Sequence, residues 1–177
     1  MKKKTLALVL ALTLLVAGIV GGTLAWLTDQ TAEVKNTFTV GDINIGLTET
    51  TADYKMVPGN TIAKDPTVTV KANSEACWLF VKVTESTDLK DFITYAIAEG
   101  WTALSGVDGV YYRKVPASAA DQTFSVLAGD AVTVKSDVTR TMLETAKTDA
   151  PTLTFQAYAI QRDHFATADA AWAEVSK

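Results

Sequence analysis

Residues 76–84 read ACWLFVKVT. Successive side chains of an extended strand point to opposite faces. Cys77, Leu79, Val81 and Val83 therefore share one face, while Trp78 and Phe80 occupy the other, followed there by Lys82 and Thr84. A strand that is apolar on both faces at its start is covered on both sides, as a central strand is. The chain is expected to build a sheet around this segment.

The flanking sequence repeats the period-two pattern of strands. In DPTVTVKAN (65–73), Val68 and Val70 point one way, against Thr67, Thr69 and Lys71. Asn73-Ser74-Glu75 turns the chain into the central segment. Upstream, NTFTVGDINIGLTET (36–50) carries Phe38 and Val40 on one parity and Ile43, Ile45 and Leu47 on the other. The switch at Gly41 predicts a bulge or bend. Pro58-Gly59 reads as a turn. Downstream, residues 91–115 open on a stretch compatible with a short helix, but Thr94-Tyr95 and Tyr111-Tyr112 favour strands, joined by a loop over 106–109. QTFSVLAGDAVTVKS (122–136) turns at Ala128-Gly129-Asp130, with Val132 and Val134 alternating against Thr133 and Lys135. PTLTFQAYAIQ (151–161) places Leu153, Phe155, Ala157 and Ala159 on one face and Thr154, Gln156, Tyr158 and Ile160 on the other.

Two helices are expected beside these strands. One spans SDVTRTMLETAK (136–147), capped by Ser136 or Asp137, with Val138, Met142 and Leu143 as its apolar stripe. The other begins at the cap Thr167, and Trp172 and Val175 pin it to the sheet. Many short strands with turn signals between them define a mainly β chain, an antiparallel β-sandwich with short flanking helices.

The first 25 residues follow a different grammar. Lys2, Lys3 and Lys4 precede an apolar run from Leu6 to Val20, and the run ends on GGTLA, residues 21–25. Positive head, apolar middle and small-residue end are the three parts of a secretory signal. Thr23 and Ala25 hold the third and first positions before a cut, so Trp26 begins the mature chain. The competing reading is an uncleaved helix over residues 5–27, long enough to span a bilayer. Gly18, Gly21 and Gly22 weaken that helix. No Cys follows the run, as a lipoprotein anchor requires, and no Glu stands just inside it, as a type IV pilin signal requires. The expected organisation is a signal peptide over 1–25 and a single domain over 26–177, with membrane contact only through the uncleaved leader.

The chain carries 16 basic and 20 acidic side chains, a net charge of −4. Removal of the leader takes three lysines and leaves 13 against 20, a net charge of −7. An acidic chain argues against a nucleic-acid or anionic-membrane partner, both of which attract a basic face. The remaining length of about 150 residues buries roughly two-thirds of its unfolded surface, enough for a core without staples.

Catalytic and metal-binding patterns are sparse. His164 is the one histidine and Cys77 the one cysteine. A zinc protease of the H-E-x-x-H kind needs two histidines a helical turn apart. His164 falls between a strand and a helix and reads as a solvated loop residue. Cys77 reads as a small buried apolar residue, the alternative being a thiol used for dimerisation. No Gly-x-Ser-x-Gly elbow and no phosphate loop occur. The pairs Asp88 with Asp91 and Asp163 with Asp169 lack the ladder of a calcium loop. Of the four tryptophans, Trp78 and Trp172 are assigned to the core; Trp26 and Trp101 complete a set too scattered for a carbohydrate platform. Neither a cofactor, a metal site nor a catalytic residue is expected.

Three stretches carry a family resemblance: GGTLAWLTD (21–29), residues 36–50, and MVPGNTIAKDPTVTVKANSEACWLFVKV (56–83). Together they resemble the TasA/camelysin-type secreted bacterial proteins, exported by a dedicated signal peptidase. The resemblance implies a jelly-roll-like sandwich at the cell surface. It also implies, from relatives that build biofilm-matrix fibres, that the freed N-terminal segment inserts as a strand into the next subunit. Here that donor is residues 26–40, with Phe38 and Val40 as its inserted side chains. Camelysin-like relatives have been called metalloproteases, an expectation that one histidine and no zinc motif do not meet. The leading expectation is thus a non-enzymatic structural protein of the cell surface or biofilm matrix that self-associates into fibres. A monomeric surface binding or adhesion module is the alternative, and a secreted metal-dependent protease comes third.

Overall fold

The computed structural model describes residues 42–50 and 55–177. Among them, ten strands follow in order: β1 (Ile45–Thr48), β2 (Thr61–Ala63), β3 (Thr67–Val70), β4 (Cys77–Glu85), β5 (Ile93–Thr94), β6 (Thr102–Ala103), β7 (Val110–Val115), β8 (Gln122–Ser125), β9 (Ala131–Val134) and β10 (Leu153–Gln161). Three short helices accompany them: α1 (Leu89–Phe92), α2 (Arg140–Ala146) and α3 (Ala168–Val175). Every strand pairing between them is antiparallel.

β4 is central, as its two apolar faces require. It pairs with β10 from Cys77 opposite Gln161 to Glu85 opposite Leu153, and with β7 along its other edge. The resulting back sheet runs β10-β4-β7-β6. Cys77, Leu79, Val81 and Val83 meet Val68, Val70, Val115 and Val126 in the core between the sheets. Trp78 and Phe80 turn the other way, into a second cluster with Leu104, Val110, Ala168 and Ala171. α3 closes that outer face. Its Trp172 ring lies 5.3 Å from Phe80 and 5.2 Å from Tyr158, centre to centre.

The front layer is a bent sheet. β1-β3-β8 forms one half and β2-β9-β5 the other. Lys64 N donates to Asp130 O (2.7 Å) and Val126 N to Pro66 O (2.9 Å), so the ladder continues across the bend from β2 into β3. Pro66 has no N–H to give, and Gly129 and Asp130 both take positive φ there, which supplies the bend on the opposite strand. α1 and α2 pack on the β2-β9-β5 half: Leu89, Phe92, Val132, Val134 and Val138 share one cluster with the half-buried Met142 and Leu143.

Several expectations change in detail. α2 is capped by Thr139, whose hydroxyl accepts from Met142 N, and not by Ser136 or Asp137. Val138 precedes the helix and is buried with Leu143 in the same cluster, the arrangement of a hydrophobic staple that fixes the entry of the chain. A four-residue helix, α1, starts just before the middle segment and ends at its second residue, Phe92, where Leu89 and Phe92 both enter a core. Tyr95 lies outside the two-residue β5. β2 was not anticipated, being three residues long with one half-buried side chain. The turn at Pro58-Gly59, the faces of β10 and the Thr167 cap match the sequence reading. The parity switch at Gly41 falls outside the described residues.

Candidate assembly edge

Among the described residues, β10 is an edge strand, with β4 its one ladder partner. The two strands run in full register and are similarly apolar, yet six of the nine residues of β4 are buried and none of those of β10 is. No described strand pairs with the other side of β10, in keeping with that difference. Edge strands are normally blunted by charges, prolines, bulges or brevity. β10 reads LTFQAYAIQ and has none of these: nine residues, no charge and no proline. The opposite margin of the same sheet is β6, only two residues long.

The inward face of β10 borders an open seam. β1 approaches β10 across it without joining its ladder. Leu153, Phe155 and Ala157 on one side, and Ile43, Ile45 and Leu47 on the other, reach the main core but stay only partly buried. A cleft of about 320 Å³ lies between Leu47, Glu49, Pro66, Leu153 and Phe155. A second, of about 450 Å³, continues past Leu153 and Thr154 to Met56, Ile62 and Val132. Residues 49 and 50, just after β1, are fastened beneath the seam. Lys64, 7% exposed, places Nζ 2.6 Å from Glu49 Oε1 and 5.5 Å from the centre of the Phe155 ring. Thr50 donates its N–H (2.9 Å) and its hydroxyl to the Asp65 carboxylate. These bonds hold Asp65 below the usual carboxylate range.

The expected cleavage residues Thr23, Ala25 and Trp26, and the expected donor residues Phe38 and Val40, lie outside the described residues. Among the described residues, no helix is long and apolar enough to cross a membrane.

The candidate metal ligands are kept apart. Cys77 is fully buried, and burial pushes its thiol up to about 11. His164 ends a short 3₁₀ turn, Arg162–His164, and is exposed. Asp88 accepts from Ser86 Oγ at 2.9 Å, and Asp169 lies in the first turn of α3. Among the described residues, no three His, Cys, Asp or Glu side chains gather around a common point.

The described residues form an antiparallel β-sandwich in which one long edge strand carries no charge and no proline. A family model described as camelysin metallo-endopeptidase matches residues 1–90, and the chain belongs to that family. The match runs through β4 and ends within α1; β10 lies beyond it. No curated protein and no solved structure matches the chain. The family's description implies a metal. The described residues do not fit one: the single histidine sits on an exposed turn and the single cysteine points into the core.

Proposed function

We propose that this protein is a secreted, non-enzymatic structural component of the cell surface or biofilm matrix, and that it polymerises by strand donation. Residues 26–40 of one copy add to the free side of β10 in the next. The observation that carries the reading is β10: nine residues with one partner among the described residues, no charge and no proline. An added strand gains a row of main-chain hydrogen bonds, while alternate side chains fill pockets. The half-buried seam between β1 and β10 offers apolar space for Phe38 and Val40. Contacts of this head-to-tail kind do not close, so they give filaments. Until the leader is cut after Ala25, the arm stays tethered and assembly is restrained. Membership of the camelysin family supports an extracellular or surface setting.

Electron microscopy of residues 26–177 tests this. Filaments are expected, and deletion of residues 26–37 abolishes them. Thr154→Cys, combined with cysteines scanned through positions 34–40, is expected to cross-link neighbouring copies. The buried Cys77 leaves a silent background. A mature chain that stays monomeric at high concentration and low pH overturns the proposal in favour of a monomeric binding module.

A further inference from the structure

A second feature lies at the other margin of the sandwich. Arg113 in β7 stands opposite Leu79, on the parity of Tyr111 and Val115, so its stem enters between the sheets. Its guanidinium carbon is 3.9 Å from the centre of the Phe124 ring and 5.3 Å from that of Trp101. Trp101 is itself fixed, its Nε1 donating to Ser125 O at 2.9 Å. Gly100, at φ +85°, brings the backbone close: a Cβ there would lie 2.9 Å from Arg113 Nη2. Arg113 Nε is buried and has no acceptor. Among the described residues, no carboxylate pairs with the guanidinium, although acids outnumber bases in the chain.

This is an expensive way to place a cation. A guanidinium presents donors in a rigid plane and accepts nothing. Stacking on rings satisfies its faces and leaves its in-plane N–H bonds unmet. Burial holds Arg113 below its ordinary value, because lost water disfavours the charged form. β6 pairs only with Tyr111 and Tyr112, so no strand covers β7 at Arg113. The neighbouring Lys114 is not a substitute, since its Nζ lies over Trp78 on the opposite face, 4.9 Å from the ring centre. The ligand matching a fixed, half-buried guanidinium fork is a planar anion that takes two parallel N–H bonds.

We infer that Arg113, held between Phe124 and Trp101 against Gly100, is a binding site for a carboxylate. This site is independent of the β10 edge and survives if strand donation fails. The carboxylate comes from one of two sources, the uronic acid of an acidic glycan or an acidic side chain of a peptide.

The test is calorimetric titration of the full chain, in carboxylate-free buffer, with oligogalacturonate and with a poly-glutamate peptide. The methyl-esterified glycan and poly-glutamine serve as uncharged counterparts. At least one acidic probe is expected to bind while its neutral counterpart does not. The probe that binds identifies the source. Arg113→Gln is expected to weaken that binding by at least about tenfold, the scale of charge-assisted hydrogen bonds, and Arg113→Lys by less. In the unaltered chain the Arg113 Nε–H magnetic-resonance signal shifts during the same titration, a readout that needs no variant to fold. Failure of both acidic probes to bind, a static Nε–H signal, or a folded Arg113→Gln chain that binds like the original overturns the inference.

Discussion

Val83 N donates to Gly109 O at 2.7 Å, and the two backbones are packed so tightly that a Cβ on Gly109 would fall 2.4 Å from Val83 O. Gly109 also has φ +71°. Space and dihedral both demand glycine, so Gly109→Ala must shift the start of β7 against β4. A loss of about 2 kcal/mol or more is expected, read as a lower midpoint in urea. Gly106→Ala is the control, because it shares the positive φ with nothing within 4 Å of its Cβ, and it should cost less. Cys77 gives a second prediction. Its thiol is raised to about 11, from an ordinary value of 9.0, by burial. A raised folded value means that the stability is intact below about pH 9 and is lost as pH climbs toward 11, because the unfolded thiol ionises first. Stability measured from pH 8 to 11.5 should therefore fall less steeply in Cys77→Ala than in the original chain. The native thiol should also resist alkylation until the protein is unfolded.

At the scale of elements, α3 is attached by one cap and one aromatic. Thr167 Oγ1 accepts from Ala170 N at 3.3 Å, and Trp172 lies against Phe80 and Tyr158. Thr167→Ala should cost about 1 kcal/mol. Trp172→Ala should cost about 3 kcal/mol, because it uncovers the outer face of β4 as well as loosening the helix. Both are measurable by thermal melting with far-UV circular dichroism. β4, β10, both faces of each, and the Thr167 cap were legible in the sequence because long period-two runs and a lone Thr before an Ala-rich helix leave one sensible register. β2 and β6 were not legible, and β5 was legible only through Thr94, with its bounds one residue off. Two or three residues carry no period, and their pairing is imposed by neighbours far along the chain, such as Val132 opposite Ile62. The α2 cap was misplaced because Ser136, Asp137 and Thr139 are all competent caps, and burial of Val138 decides among them. Arg113 was passed over for a related reason. Trp101 and Phe124 are 23 positions apart, and only folding stacks the guanidinium on them. The open edge of β10 depends on pairing partners, which its own residues do not record.

At the scale of the whole molecule, the two margins of the back sheet are unequal: the nine residues of β10 at one side, the two of β6 at the other. Under the proposed assembly, a copy lacking residues 26–37 still offers β10 but has no arm to give. Mixed with the intact mature chain at a small fraction, such copies should shorten filaments sharply, as measured by length distributions in electron micrographs. A copy carrying a disrupted β10 but an intact arm terminates the opposite end and should also shorten filaments, whereas a copy with both changes should leave their lengths unaltered; shortening by that doubly altered copy would count against the scheme. The acidic balance of the chain adds repulsion between copies, so filaments should lengthen as salt rises to about 0.15 M, where the Debye length falls to about 8 Å.

A body with one bare flank and one stub has a heading. Threads spun by the proposed donation would have a head unlike their tail, so a break would leave a bare strand on one fragment and a loose arm on the other, and the two could rejoin in one sense only. A blocker of such threads would therefore have to be made for one end or the other, because no single cap would fit both.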